Sequence, residues 1–154
     1  MAEVSIYLRL DGIPGDSTDA RHADEIVVTA FSWGLASVGG SPATGTGAAT
    51  GKATFDGLTV VARSSRASPP LMQACAQGRR LRSAVLSVQR AGEKPTDVMV
   101  VQLTDVVVGA YSASAGGGEG PEDEITLSFG RIQFDVSDGQ KQTTASWDLR
   151  KGAP

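Results

Sequence analysis

Residues 10–34 read LDGIPGDSTDARHADEIVVTAFSWG, and the way this stretch divides decides the fold. Its first half holds Gly12, Gly15, Pro14 and the acids Asp11, Asp16, Asp19 and Asp24. Such punctuation excludes a regular helix or strand interior and predicts a long structured loop on the surface. Its second half, from Glu25 to Trp33, is rich in Ile, Val, Thr, Phe and Trp. That composition fits a strand buried on both faces or covered in an assembly.

Upstream, Val4, Ile6, Leu8 and Leu10 alternate with Ser5, Tyr7 and Arg9, the period of a half-buried first strand. Downstream, residues 35–51 are dominated by Gly, Ser, Thr and Ala and have no apolar period, which marks a segment that is either disordered or functional. Strand character returns over residues 52–63 with a change of phase at Asp56-Gly57, where a bulge or tight turn is expected. The one helix signal covers residues 69–77, with Ser68 as N-cap, Pro69 at the first helical position and Gly78 as the stop. Residues 81–90, 97–111, 125–136 and 143–150 then read as strands.

Seven or so strands with frequent turns predict a mainly β domain with one short helix, a sandwich or a barrel, the barrel favoured because closure protects the sheet edges. A chain of 154 residues needs only one such domain. In the strand at 98–108, Met99, Val101, Leu103 and Val107 are placed on one face and Val98, Val100, Val106 and Val108 on the other. Apolar side chains on both faces imply a partner surface.

Fourteen Lys and Arg against seventeen Asp and Glu leave a net charge of -3 with no block of either sign, which argues against a nucleic-acid partner. No apolar run is long enough for membrane insertion, and the first residues do not resemble a secretory leader, so synthesis in the cytoplasm is expected. The lone Cys75 excludes an internal disulfide framework and, among Met72, Ala74 and Ala76, is expected to be a small buried thiol.

Constellations that could carry chemistry fail one by one. Residues 45–54, GTGAATGKAT, miss the phosphate-loop register: Thr46 stands where its first Gly belongs, and Ala53 follows Lys52. Residues 116–120 are no dinucleotide fingerprint, because no helix pattern follows them. The only histidine, His22, lies in an acidic loop and is expected to hydrogen-bond a loop backbone or a carboxylate rather than act as a base. The neighbouring acids do not have the spacing of a twelve-residue calcium loop. No catalytic residue, metal or cofactor is therefore expected. The aromatics Tyr7, Phe31, Trp33, Phe55, Tyr111, Phe129, Phe134 and Trp147 are scattered over strands and read as core or interface.

The opening stretch also closely resembles the start of the Hcp (haemolysin-coregulated protein) family, the tube protein of type VI secretion systems. Members read D-G-x-x-G-E-S-x-D, then H, E-I-x-V and S-W-G, and the likeness continues through SPPLMQACAQG, LSVQRAGEKP, VVQLTDVVV and EITLSFGRIQFDV. The resemblance implies a small barrel of two packed antiparallel sheets with one short helix, closing into hexameric rings that stack into a tube. It also implies export without a signal peptide, with spike, sheath and effector proteins as partners and effectors held in the ring lumen. On the strand at 26–33, Val27, Thr29, Phe31 and Trp33 are expected on the packed face and Val28, Ala30 and Ser32 on the other. Ala30 and Ser32 become the lumen candidates. The extended loop of the family falls here on Ser37, Val38, Gly39, Gly40, Thr44, Gly47, Gly51 and Lys52, as inter-subunit or inter-ring contacts. A stand-alone ring-forming or monomeric barrel that binds a ligand is the alternative, and a hydrolase using His22 is a weaker one.

Overall fold

A computed structural model describes residues 3–37 and 53–154. Its strands are β1 (Val4–Leu10), β2 (Ile26–Ser37), β3 (Ala53–Arg63), β4 (Arg80–Arg90), β5 (Thr96–Ser114), β6 (Glu122–Ser137) and β7 (Gln142–Asp148), with helix α1 (Ser68–Gln77) between β3 and β4. They form one antiparallel sheet in the order β3-β2-β1-β4-β5-β6-β7, and a further pairing of β3 with β6 closes the first six strands of that order into a ring, with β7 appended to β6. The expected pair of packed sheets is thus a single closed sheet. Closure removes two edges that would otherwise offer unpaired backbone groups.

The closing ladder runs from Leu58 opposite Leu127 to Arg63 opposite Glu122. It depends on Gly57, where a Cβ would lie 2.8 Å from Thr126 Cγ2 and 2.9 Å from the Leu127 carbonyl oxygen. Gly57 and Leu58 stand opposite the single residue Trp33, between the pairs Ser32–Thr59 and Gly34–Asp56. This is the bulge that the phase change at Asp56-Gly57 predicts, and it turns β3 toward β6. Beyond the closure, β6 continues from Arg131 to Ser137 as the partner of β7.

The barrel interior holds Leu8, Val28, Leu58, Val60, Leu86, Val101, Leu103, Ile125 and Leu127, all buried. Phe31, Trp33, Phe55, Phe129, Phe134 and Trp147 pack around this core, and two pairs of them meet edge to face: Trp33 with Phe134 at 5.1 Å and Phe55 with Phe129 at 6.1 Å.

Two irregularities correct the expected faces. Between Val28 and Ala30 the β2–β3 register shifts, so Thr29 is an extra residue whose hydroxyl donates to the Val61 carbonyl at 3.0 Å. Val28 therefore points inward, Val27, Thr29, Ala30 and Ser32 are exposed, and Phe31 and Trp33 pack toward the core. A strict period of two could not place Val28 and Phe31 on the same side; one added residue does.

On β5, Asp105 adopts a left-handed conformation (φ 55°) opposite Gly130, whose missing Cβ would stand 3.3 Å from the Asp105 Cβ. Leu103 and Val106, three residues apart, are both buried, and so are Ala84 and Leu81 opposite them on β4. The core face of β5 is thus Val101, Leu103, Val106 and Val108, not the alternation expected from sequence. Val98, Val100 and Val107 are only half-buried. Asp105 is held by Arg150 at 2.7 Å.

Helix α1 ends at Gly78 in the left-handed conformation (φ 60°), as expected. Its start differs. Ala67 is the cap position without a side-chain bond, and Ser68 is already helical. The Ser68 hydroxyl accepts from the Ser65 amide at 2.9 Å and donates to Asp123. Buried Asp123 also accepts from Ser64 at 2.9 Å and Tyr111 at 2.8 Å, so one carboxylate pins the helix entry to the β5–β6 end of the barrel. Burial, reinforced by the Asp123 carboxylate, pushes the Tyr111 phenol up from its ordinary pKa. Cys75 is partly rather than fully buried.

Candidate functional site

The acidic half of the opening stretch is folded tightly over the outside of β1, β4 and β5. Backbone bonds hold it: Gly15 donates to the Asp24 carbonyl at 2.8 Å, Ser17 to that of Glu25 at 2.9 Å, and Asp24 to that of Ser17 at 2.8 Å. Gly15 is required because a Cβ there would fall 2.5 Å from the Glu25 carbonyl oxygen. From the segment preceding α1, Arg66 donates to the Gly15 carbonyl at 2.6 Å and to Asp24 at 2.8 Å.

At the centre of this loop His22 is 6 % exposed. Its ring stacks on Tyr7, with centroids 4.6 Å apart and planes 11° from parallel. Nδ1 meets Glu25 Oε2 at 2.9 Å and Nε2 meets Asp97 Oδ1 at 3.0 Å. Burial alone lowers the pKa of an imidazole, but hydrogen bonds and charge from Asp97 and Glu25 outweigh it, and the net shift is upward from 6.5. The carboxylate partner expected for His22 is present; Asp97, far along the chain, was not legible. In this bridged arrangement both nitrogens are committed to carboxylates and neither takes a proton from a substrate, which counts against the hydrolase reading. No group of three or more His, Cys, Asp or Glu is arranged to hold a metal among the described residues. No described helix is long and apolar enough to cross a membrane.

The lumen candidates Ala30 and Ser32 lie on the outer face of the barrel, opposite Val61 and Thr59 of β3. That surface continues through Thr126 of β6, whose hydroxyl is 3.3 Å from that of Thr59. It is small-residue and polar, on the side of the barrel formed by β2, β3 and β6. Of the loop candidates, Ser37 is in fact the last residue of β2, paired with Ala53, so the strand takes the first three residues of the expected loop at 35–51. Val38, Gly39, Gly40, Thr44, Gly47, Gly51 and Lys52 lie outside the described residues.

At the root of that hairpin is an open, mostly apolar groove of about 350 Å³, where Trp33, Leu35 and Phe55 face Phe134, Ala145 and Trp147. Sequence reading named these aromatics as core or interface but did not bring them together, because the approach of the β2–β3 hairpin to β7 depends on closure. Leu35 is 54 % and Val27 47 % exposed, unusual for apolar strand residues.

Comparison with known proteins agrees with this architecture. The family described as type VI secretion system effector, Hcp, matches residues 7–136. Protein hcp1 of Pseudomonas aeruginosa is 32% identical over 157 residues, covering 96% of each chain. The crystal structure of Hcp1 from Salmonella typhimurium superimposes with a TM-score of 0.85 over 99% of both chains, at 28% identity. A type VI secretion system effector from Yersinia pestis shares the fold, with a TM-score of 0.78 and 24% identity over 93% of this chain and 98% of its own. The chain belongs to the Hcp family, structural and non-enzymatic proteins of type VI secretion.

Proposed function

We propose that this chain is a tube subunit: six copies close into a ring, rings stack, and the tube is exported with spike and sheath proteins while effectors travel in the lumen. The observation that carries this reading is the end-to-end likeness to Salmonella Hcp1, a TM-score of 0.85 with 99% of both chains covered. Surface chemistry supports it. A barrel that has satisfied its own ends by closure still exposes Val4, Val27, Leu35 and Val136, which an assembly would cover. Purified protein should give a native mass six times the 15.8 kDa of the chain and ring images in the electron microscope. A monodisperse monomer without rings would overturn the proposal and favour a stand-alone binding barrel.

Within the ring, the outer face of β2, β3 and β6 that carries Ala30 and Ser32 is assigned to the lumen. Because both side chains are small and exposed, Ser32→Gln adds bulk without disturbing the core. It should weaken effector retention by about tenfold, equivalent to roughly 1.4 kcal/mol, with ring mass unchanged. Co-purification of an effector at the parent level would exclude this face.

The segment after β2 is assigned to contacts between subunits or rings. Ser37 and Ala53 pair directly, so replacing residues 38–52 by Asn-Gly leaves the geometry of a two-residue hairpin. The shortened protein should keep its melting temperature within a few degrees, because the Ser37–Ala53 pair that ends the β2–β3 ladder is kept, and lose stacking in sedimentation. Normal stacking would count against the assignment.

A further inference from the structure

The doubly bonded histidine has a consequence beyond holding a loop. A neutral imidazole carries one N–H and one lone pair, so it cannot donate to two carboxylates at once. At His22, Nδ1 and Nε2 lie 2.9 Å and 3.0 Å from carboxylate oxygens of Glu25 and Asp97. Only the imidazolium satisfies both; on losing a proton, one nitrogen turns a lone pair toward a carboxylate.

The two contacts differ in what they tie. Glu25 belongs to the same loop, three residues on, and its side chain is 11% exposed. Asp97 lies near the start of β5, and its side chain is 31% exposed. A carboxylate that can turn to water is the one released when a donor is lost, so deprotonation keeps the contact within the loop and breaks the contact to the sheet. Each element packed on the ring contributes to this account. From β1 comes Tyr7, stacked beneath it. From β4 comes Gln89, a neutral amide 3.5 Å from Asp19. From β5 comes Asp97. Within the loop itself, Asp19 accepts from the Arg21 amide at 3.0 Å, while the Arg21 guanidinium is committed to the Pro95 carbonyl in the β4–β5 turn. No cation among these contacts replaces the proton on His22.

We propose that the loop at residues 11–25 is a proton-operated clasp on the β4–β5 end of the barrel, closed while His22 bridges Glu25 and Asp97 and released at Asp97 when the bridge loses its proton. Release widens the adjoining groove, about 620 Å³, lined by Tyr7, Ser17, Thr18, Asp19 and Val27. The proposal does not depend on the tube reading, since the clasp lies within one chain.

The upward shift at His22 fixes the sign. The closed form binds the proton more tightly than the open form, whose histidine titrates near 6.5. Closure is therefore fully favoured below about pH 6.5 and weakens as pH rises through the closed-form pKa, by up to about tenfold per pH unit between the two values.

Hydrogen exchange followed by mass spectrometry on the full chain tests this, with rates corrected for intrinsic pH dependence. Peptides covering residues 11–25 and 91–97 should lose protection as pH rises through the His22 transition, while peptides from β6 keep theirs. Asp97→Asn preserves an acceptor oxygen but not the charge, and should move the transition to lower pH. His22→Gln should leave protection of the loop independent of pH. Constant protection of the loop in the parent protein from pH 5 to 9, or a loss that Asp97→Asn leaves at the same pH, would overturn the clasp. Should His22→Gln fail to fold, the parent and Asp97→Asn profiles still decide.

Discussion

Leu127→Ala is expected to be among the most destabilising single changes in this chain, at about 2–5 kcal/mol. Leu127 is fully buried and stands where three strands meet, opposite Leu58 on β3 and Val108 on β5. Truncation there loses the transfer energy of the removed methyl groups and leaves a cavity that cannot collapse, because the backbone on both sides is held by ladder bonds. For a domain of this size the melting temperature should fall by roughly 4–20 °C. It should be measured at fixed protein concentration, because any assembly adds stability by mass action. Val136→Ala on the same strand, at an exposed position, should stay within about 0.5 kcal/mol of the parent. Equal losses for the two variants would mean that the closure is not where the core is held.

Gly15→Ala is the second. All three of its near contacts are backbone atoms: the Glu25 carbonyl oxygen at 2.5 Å, and the Ile26 Cα and amide nitrogen at 2.6 Å. No rotamer change can relieve them, so either the loop lifts or the start of β2 moves. Both outcomes cost the bonds from Gly15 to Asp24 and from Ser17 to Glu25 and disturb the seat of His22. A loss of about 1–3 kcal/mol or more is expected in urea unfolding. Gly116→Ala is the control, since nothing lies within 4 Å of its Cβ position. An unchanged midpoint for Gly15→Ala would show that the loop is not packed on β2.

How far the sequence could be read follows from which signals are local. Each strand announced itself by composition, and Gly57 by a change of phase, since these depend on a few adjacent residues. Closure of β3 on β6 joins residues far apart in the chain, from Leu58 with Leu127 to Arg63 with Glu122, so a two-sheet barrel and a single rolled sheet predict the same strings of residues. The faces of β2 and β5 were misread for a different reason. Thr29 is an ordinary strand residue that happens to be the extra one, and Asp105 adopts a left-handed conformation that nothing in Thr-Asp-Val signals, against a Gly130 that leaves it room from another strand. Ser68 followed by two prolines looked like a cap; its hydroxyl was drawn instead to Asp123, a partner invisible from the helix itself. The candidate surface around Ala30 and Ser32 was legible as small and polar, whereas the apolar groove beside Trp33 required the closed barrel.

The division of β6 bears on how the protein would respond to force. Over residues 122–127 this strand is flanked on both edges, by β3 and β5, whereas β7, among the described residues, is paired along one edge only. A pull along β6 must shear two ladders at once, many hydrogen bonds sharing the strain. A pull across β7 opens its ladder one pair at a time, like a zip. The hoop and its appended strand are thus mechanically unequal parts: under load the barrel would outlast the β6–β7 ladder.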